Sequence, residues 1–321
     1  MPYRHHDALS RVEGMINTIT KPVSAAAAGT WRLGDLTVNR IGFGAMRLPQ
    51  TGRALVPDAV PRDRDQAIAV LRRAVELGVN HVDTAAFYFS PLRSANELIN
   101  AALAPYPDDL VIATKVGPAR DASGRWASWA TTAQELRGQV EENLRQLGRD
   151  HLDLVNLRVN GPGPIAERFA ALAELRQAGL IRHLGLSSVG PDQLAEARAI
   201  APVVCVQNPY GIGAPARQDR MLDLCGEQGI AFVPFFAIAG QGREAGPQGT
   251  EAEQIDGIAR AHQATPAQVR LAWSLQRGPH VLAIPGTGDP GHLEDNIAAG
   301  ALRLTEADLA VLDDLHRSTA S

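Results

Sequence analysis

The sequence has little of several features that would point to a particular class of protein. Its two cysteines, Cys205 and Cys225, provide no disulfide framework, and we expect Cys205, which lies in a strand-like run, to be a reduced, buried thiol. The longest apolar runs, such as IAFVPFFAIAG, are well short of the roughly 20 residues that a membrane-spanning helix needs. A basic stripe is missing, and the net charge is −4. Composition therefore predicts neither a membrane protein nor a nucleic-acid-binding protein.

The first thirty residues differ in character from the rest. They lack an apolar core of about 7–15 residues followed by a cleavage site of small residues, so a secretory signal is not expected and the predicted location is cytoplasmic. The AAAAG run at 25–29 is typical of a linker. His5 and His6 have no partner ligands nearby, so they predict no metal site. We predict a partly mobile extension over residues 1–30, joined to a single domain at residues 31–321.

From Trp31 onward, strands and helices alternate regularly. The stretch TWRLGDLTVN predicts a β-hairpin, and eight strand–helix units follow, the first strand in RIGFG and the last in HVLAIPG. Parallel strands joined by helical crossovers form either an open doubly wound sheet or a closed barrel. The first strand ends in GFGAM, which lacks the G-x-G-x-x-G spacing of an open dinucleotide-binding sheet. Eight units therefore predict an α/β fold, a (β/α)8 TIM barrel with an N-terminal β-hairpin.

In such a barrel the active site lies at the carboxyl ends of the strands. In strand order the predicted ends are Gly44 to Met46, Asp83 with Tyr88 shortly after it, Lys115, Arg158, Ser187 and Ser188, Gln207 and Asn208, Phe235 and Phe236, and Gly286 and Thr287. These ends hold no cluster of histidines and carboxylates, which gives little support to a metal enzyme or a barrel hydrolase.

Three of these residues form a coherent proton donor. A tyrosine gives up a proton more readily when an ammonium group nearby stabilises its phenolate. A buried lysine in turn needs a carboxylate partner to remain charged and fixed in place. Asp83, Lys115 and Tyr88 can act in this way, although a structural ion pair beside an unrelated tyrosine would give the same pattern.

The motifs at the strand ends, taken together, resemble the aldo-keto reductase superfamily. They are HVDTAAFY, IATK, GLSS, the QN of VCVQN, and IPGTG ahead of HLEDN, and the resemblance covers about residues 31–317. It implies a barrel that binds a nicotinamide dinucleotide and transfers hydride to a carbonyl, with a tetrad of Asp, Tyr, Lys and His. Asp83, Tyr88 and Lys115 match three members of the tetrad, whereas Arg158 stands where the family has histidine.

The arginine at position 158 suggests a particular kind of substrate. A guanidinium donates hydrogen bonds as an imidazole does, but it adds a fixed charge and a planar fork. We therefore expect Arg158 to favour a substrate that carries an anion or a phenolate beside its carbonyl. Alternatively, Arg158 pairs with Asp83 or turns toward solvent. The stretches VNLR, PRDR, PYPDDL, VPFF and IPGT resemble the bacterial branch that includes pyridoxal reductases, but FSPLRSA after Tyr88 departs from that branch, where glycine is usual.

The resemblance also implies a cofactor site. Ser187, Ser188 and Gln207 would hold the nicotinamide carboxamide, and Phe235 would stack on the ring. The remaining implied positions are Gly44, Met46, Asp83, Ile238, Gly240, Pro285, Gly286, Thr287, Gly288, His292, Asp295 and Asn296. Of these, Gly286, Thr287 and Gly288 precede a helix whose free N–H groups suit phosphate. NADPH is the expected cofactor by family habit. NADH remains open, since Asp289 would repel a 2′-phosphate if it pointed inward.

Substrate contacts are expected from two aromatic regions. Phe89 follows the tyrosine, and Trp126 and Trp129 lie in a polar loop that either forms a lid or packs down on the barrel. The Gly-rich stretch 240–252 is expected to be mobile and either folds over the cofactor or is a surface loop.

The sequence thus predicts an NAD(P)H-dependent carbonyl reductase acting on a small molecule, with pyridoxal as a candidate substrate and Tyr88 as the general acid. A nucleotide-binding sensor or scaffold with little turnover, and a double-bond reductase that exploits Arg158, are the alternatives. The sequence leaves open whether the protein is a monomer or a homo-oligomer.

Overall fold

The computed structural model describes residues 23–213, 218–238 and 250–318. Most of the predicted extension, with His5 and His6, therefore lies outside the described residues. The same holds for Gly240 and for most of the Gly-rich stretch 240–252.

Among the described residues, seven strands form one parallel sheet, and eight others pair as antiparallel hairpins. The strands are β1 (Thr30–Leu33), β2 (Leu36–Asn39), β3 (Phe43–Gly44), β4 (Gln50–Thr51), β5 (Val60–Pro61), β6 (His81–Asp83), β7 (Phe89–Ser90), β8 (Arg93–Ser94), β9 (Val111–Val116), β10 (Pro118–Arg120), β11 (Trp126–Trp129), β12 (Leu152–Arg158), β13 (Ile181–Ser187), β14 (Val203–Pro209) and β15 (Ala231–Phe235). The order in the large sheet is β3-β6-β9-β12-β13-β14-β15, and the hairpins are β1–β2, β4–β5, β7–β8 and β10–β11.

The segment around residues 281–283 closes this sheet into a barrel. Val281 forms a parallel bridge with Phe232 on β15, and Ala283 forms one with Ile41, just before β3. The main-chain N–H of Leu282 donates to Phe232 (2.9 Å), and that of Gly42 donates to Ala283 (2.8 Å). Residues 281–283 therefore act as the eighth strand, and the predicted (β/α)8 barrel with its N-terminal hairpin is confirmed.

Helices follow the barrel strands in the expected alternation. They are α1 (Arg64–Glu76), α2 (Ala95–Leu103), α3 (Ala133–Leu147), α4 (Ala166–Gln177), α5 (Pro191–Arg198), α6 (Asp219–Glu227), α7 (Thr250–Ala261), α8 (Pro266–Gln276), α9 (Pro290–Ala298) and α10 (Glu306–Ser318). Their ends carry ordinary signals: Thr132 and Glu135 form a capping box on α3, and Gly148 ends that helix in the left-handed conformation. Helix α10 and the hairpins β4–β5 and β7–β8 were not predicted. Within the described residues, every helix is too short or too polar to cross a bilayer.

Two apolar clusters surround the barrel wall. The larger lies between the strands and the helices, and the smaller fills the barrel interior. Along β12, Leu154 belongs to the interior cluster and Val155 to the outer one, because successive side chains of a strand point to opposite faces. The β1–β2 hairpin contributes Leu33 and Val38 to the interior cluster and closes the amino end of the barrel. Both cysteines are free and buried, as predicted for Cys205.

The alanine run before the hairpin does not behave as a linker. Ala25–Ala28 forms a 3-10 helix capped by Ser24, and Ala25 and Ala28 are buried. The N–H of Ala25 donates to the main-chain oxygen of Leu77 (2.8 Å). The run also packs closely against Gly300, since a Cβ added at Gly300 would lie 2.9 Å from the Cβ of Ala28. The run is therefore part of the packed domain.

Arg40 ties three parts of the barrel together. Its guanidinium donates to the main-chain oxygens of Ala28 (3.2 Å), Val281 (3.2 Å) and Gly278 (2.7 Å), and also to that of Leu275. These carbonyls belong to the 3-10 helix, to the eighth strand and to the end of α8. Burial lowers the pKa of Arg40, and the charge of Arg303 lowers it further. One side chain thus satisfies four carbonyls at the seam where the barrel closes.

Replacing this arginine tests its role in closing the barrel. We expect Arg40→Ala to lower the free energy of unfolding by about 3 kcal/mol, because several partly buried carbonyls lose a charged donor. Urea denaturation measures the change. Arg32→Ala on the exposed face of β1 removes the same charge and should cost less than about 0.5 kcal/mol. Equal losses for the two variants would show that Arg40 contributes only its charge.

Candidate active site

The carboxyl ends of the barrel strands open into one cavity of about 610 Å³. Its lining includes Gly44, Met46, Asp83, Tyr88, Trp126, Arg158, Gln207, Phe235, Ile238, Pro285 and Gly286. A second cavity of about 400 Å³ lies beside it and shares Arg158 and Trp126 with it. The strand ends therefore bring most of the predicted site residues together. Their individual roles remain predictions.

Asp83 and Lys115 form a buried ion pair at the floor of the larger cavity. The Nζ atom of Lys115 lies 2.6 Å from Oδ1 of Asp83 and donates to the main-chain oxygen of Thr84 at 3.0 Å. The two residues are only 3% and 2% exposed. Burial disfavours the charge on Lys115, but Asp83 and Tyr88 together outweigh it and raise the pKa of Lys115 above its ordinary value. Lys115 is therefore a fixed cation at neutral pH.

Tyr88 belongs to the same cluster. Its ring centroid is 4.9 Å from Nζ of Lys115, and its side chain lines the larger cavity. A turn after β6 places it there: the N–H of Tyr88 donates to Ala85, and the carbonyl of Tyr88 accepts from Ala95 at the start of α2. The edge of the Phe87 ring packs on the tyrosine at 5.1 Å. The tyrosine thus contacts the ion pair, and its role as a proton donor remains a prediction.

Gln207 links the ion pair to two polar atoms that lack partners. Its Nε2 donates to Oδ2 of Asp83 at 2.8 Å, so both oxygens of Asp83 accept a hydrogen bond. Its Oε1 and the hydroxyl of Ser187 are buried and have no hydrogen-bond partner in the described residues. Buried polar atoms are nearly always paired. An acceptor beside a hydroxyl fits a ligand amide, so Gln207 and Ser187 suit the nicotinamide carboxamide.

Ser188 is placed differently from its neighbour. It lines the smaller cavity with Trp129, and it has a left-handed backbone (φ 62°). Its N–H donates to the main-chain oxygen of Gln207 at 3.0 Å, which anchors this turn. Ser188 therefore lines the smaller cavity, whereas Ser187 is fully buried on β13 beside Gln207 in the strand register.

Arg158 and Phe235 both line the larger cavity and contact one another. The guanidinium carbon of Arg158 is 5.2 Å from the centroid of the Phe235 ring, a cation–π distance. Arg158 lines both cavities, so it does not turn outward into solvent. Phe235 packs edge-on against Phe236 and keeps part of its ring on the cavity. A flat aromatic face at this position suits stacking with a planar ring.

The loop after the eighth strand approaches β3 very closely. A Cβ on Gly286 would lie 2.2 Å from the main-chain oxygen of Gly44, and one on Gly44 would lie 2.5 Å from that of Ile284. Both glycines are therefore required by the contact between the two strand ends. The same loop carries Thr287, whose Oγ1 accepts from the N–H of Asp289 at 3.0 Å.

Asp289 caps helix α9 and does not simply face a ligand. Its Oδ1 accepts from the N–H of His292 at 2.9 Å, and this hydrogen bond is the main cause that lowers the pKa of Asp289. The carboxylate nevertheless remains a negative charge at the end of the helix where the resemblance puts a phosphate. Asp295 and Asn296 follow within α9. Gly240 lies outside the described residues.

The aromatic contacts differ in part from expectation. Phe87, which was not predicted, lines the larger cavity, whereas Phe89 on β7 stacks under the guanidinium of Arg120 at 4.3 Å. Trp126 is half exposed, lines both cavities and packs on Phe87, while Trp129 lines only the smaller one. The two tryptophans belong to the β10–β11 hairpin rather than to an irregular loop. The β4–β5 hairpin adds Arg53, which was also not predicted.

No group of metal-binding side chains was found among the residues that the structure describes. The site consists of an ion pair, a tyrosine, unpartnered amide and hydroxyl groups and an arginine. This set can hold a planar amide-bearing ring and can deliver a proton next to it.

The sequence and the fold are similar to those of known proteins. A family model described as the aldo/keto reductase family matches residues 40–317. Pyridoxine 4-dehydrogenase of Escherichia coli (strain K12) is 46% identical over 300 residues, covering 91% of this chain and 99% of that protein. A thermostable aldo-keto reductase solved with the inhibitor epalrestat superposes with a TM-score of 0.74 at 28% identity, over 89% of this chain and 99% of that one. An aldo-keto reductase from Klebsiella pneumoniae in complex with NADPH gives a TM-score of 0.72 at 26% identity, over 88% of this chain and 92% of that one.

A buried histidine beneath the site makes stability depend on pH. His81 lies on β6 two residues before Asp83 and is 1% exposed, and burial lowers its pKa from 6.5 to about 4. Below about pH 6.5, His81 is protonated in the unfolded chain, but in the folded protein it is protonated only below about pH 4. This difference should lower the free energy of unfolding by about 3 kcal/mol across that interval and then level off.

Urea denaturation of the wild type and His81→Gln between pH 7 and pH 4 measures this contribution. The variant should lose less stability on acidification than the wild type. A His81→Gln protein with the wild-type slope would show that His81 does not remain neutral in the folded state.

Proposed function

The chain belongs to the aldo/keto reductase family, and on that premise we propose that it is an NADPH-dependent reductase of an aromatic aldehyde with an oxygen anion beside the carbonyl. The observation that carries the proposal is the contact of Lys115 with both Asp83 (2.6 Å) and the Tyr88 ring (4.9 Å) at the floor of the cavity. This contact joins a proton donor to a fixed cation.

The proton comes from the hydroxyl of Tyr88. The ammonium group of Lys115 stabilises the phenolate that remains after transfer. Asp83 and the main-chain oxygen of Thr84 hold that ammonium in place. When bound, NADPH would supply hydride chemistry at the carbonyl carbon. The carbonyl oxygen takes the proton from Tyr88, and solvent then reprotonates the tyrosine. The product is an alcohol.

The chain's own residues can place the nicotinamide next to Tyr88. Ser187 and Gln207 offer a hydroxyl and an acceptor oxygen that lack partners among the described residues, and Phe235 offers an aromatic face. Gln207 also donates to Asp83, so the carboxamide site is linked to the ion pair that lies beside Tyr88. NADPH is the proposed cofactor, with NADH as the alternative.

Arg158 sets the substrate class in this proposal. Its guanidinium lines both cavities, where it can bind an oxygen anion on the substrate while the carbonyl faces Tyr88. Pyridoxal is an aldehyde flanked by a phenolic oxygen, and the relative from Escherichia coli is named as a pyridoxine 4-dehydrogenase. We therefore propose pyridoxal as the substrate to test first.

The role of Tyr88 is tested by removing its hydroxyl. Tyr88→Phe should lower kcat for pyridoxal reduction by roughly 100-fold or more, the size of a general-acid contribution. The Kd for NADPH should stay within about twofold, because the ring remains. Nicotinamide absorbance measures turnover, and fluorescence titration measures binding. Tyr106→Phe removes a hydroxyl bonded to Leu147 away from the cavity and serves as the matched control.

Tight NADPH binding without turnover of any aldehyde by the wild type would contradict the reductase and favour a nucleotide-binding sensor. Absence of dinucleotide binding would contradict both.

The role of Arg158 is tested with paired substrates. Arg158→Met should lower kcat/KM for pyridoxal by about tenfold to 100-fold, the range for loss of a charged hydrogen bond. The kcat/KM for benzaldehyde, which lacks the adjacent oxygen, should fall much less. For pyridoxal, the kcat/KM of Arg158→Lys should lie between those of the wild type and Arg158→Met. Equal losses on both aldehydes would mean that Arg158 does not bind the substrate anion.

A further inference from the structure

A cation from the first strand–helix loop lies against the loop that precedes α9. Arg62 follows β5, and its guanidinium donates to the main-chain oxygens of Gly288 (3.3 Å) and Gln50 (3.2 Å). Gln66, in the first turn of α1, donates to the same oxygen of Gly288 at 3.1 Å. The contact joins residues 226 positions apart in the chain.

Gly288 makes room for this guanidinium. A Cβ at position 288 would lie 2.0 Å from the guanidinium carbon of Arg62, so any other residue there would push the arginine away. The glycine therefore allows the planar cation to rest directly on the backbone of the loop. Because residue 288 is a glycine, the loop presents no side chain of its own at this position.

Arg62 still has donors to offer. A guanidinium carries five N–H groups, and two hydrogen bonds from Arg62 are found in the described residues, while its solvent-shielded Nε has no partner. It forms no ion pair with a carboxylate of the described residues. Burial lowers its pKa, Asp289 raises it, and the nearby charge of Arg47 lowers it. An anion placed here would meet a cation whose charge is only weakly balanced.

The position of Arg62 along the site indicates which anion it meets. The reacting end is at Tyr88 and Phe235, and the larger cavity extends along the loop to Gly286. Gly288 lies beyond that point, directly before α9, the helix that carries Asp295 and Asn296. A dinucleotide laid along the loop from the reacting end would therefore bring its adenosine end close to Arg62.

The loop itself carries a negative charge, which would repel the 2′-phosphate of NADPH. From Gly286 to Gly291 its one ionisable side chain is Asp289, and the carboxylate of Asp289 would repel a phosphate nearby. Selection of NADPH over NADH requires a cation at the adenosine 2′-phosphate. We propose, resting on the function proposed above, that Arg62 is this cation and that it selects the phosphorylated dinucleotide by binding the 2′-phosphate.

Dinucleotide binding by variants of the full-length protein tests this directly. Arg62→Gln should raise the Kd for NADPH about tenfold or more, roughly 1.4 kcal/mol or above, and should leave the Kd for NADH within about twofold. Arg62→Lys should retain part of the preference, because it keeps the charge but not the fork. Fluorescence titration of NADPH and NADH gives both constants without turnover.

Arg64→Gln is the matched control. Arg64 carries the same charge two residues away, is exposed and lies 3.5 Å from Asp65, so its loss should leave both constants within about twofold. Thermal unfolding of each variant in the absence of nucleotide checks that it is folded.

A further measurement needs no variant: calorimetry of the wild type with adenosine 2′,5′-bisphosphate and with ADP. The bisphosphate should bind more tightly than ADP. Equal binding of the two, or an equal loss of NADPH and NADH in Arg62→Gln, would overturn the assignment to the 2′-phosphate. Wild-type protein that binds neither dinucleotide would instead overturn the proposed function.

Discussion

The site depends on keeping one ammonium group charged where water cannot reach it. Burying an ion pair costs several kcal/mol per ion, and the attraction between the charges offsets this only when further hydrogen bonds satisfy both groups. Here the oxygens of Asp83 accept from Lys115 and Gln207, and Lys115 also donates to Thr84. The pair therefore adds little to stability by itself. Its effect is to fix a positive charge beside Tyr88 and to orient Gln207 toward the cavity.

This constraint explains how polarity is distributed along the barrel. The interior near the β1–β2 hairpin is apolar, with Leu33, Val38 and Leu154 in one cluster, whereas the opposite end is lined by ionised and amide groups. Between them lies Asn156, fully buried, with no hydrogen-bond partner for its side chain in the described residues. Gly185 on the next strand makes space for it, since a Cβ there would lie 2.0 Å from Oδ1 of Asn156.

The parts of this site that sequence reasoning found are those fixed by strand register. In a parallel barrel, strand ends meet in one ring whatever their separation in the chain, so Asp83, Lys115 and Gln207 were brought together correctly. The missed parts depend on irregular segments. The turn after β6 has no periodicity, and it puts Phe87 rather than Phe89 on the larger cavity. The contact of Arg62 with Gly288 spans 226 positions and leaves no local pattern. The alanine run at 25–28 has the composition of a linker, yet small side chains are equally suited to close packing.

Arg158 ends a strand that is otherwise buried, and its surroundings show why a charge is tolerated there. It is half-buried, rests against the Phe235 ring at 5.2 Å and opens onto two cavities, so water reaches it when no ligand is bound. A cofactor and an aldehyde in the larger cavity would displace that water. A substrate with an oxygen anion would offer the guanidinium a charged acceptor in place of that water, whereas a neutral substrate would offer a weaker one. On the proposed function, selectivity would then arise from the difference between these two acceptors. A neutral imidazole in the same position would discriminate far less between them.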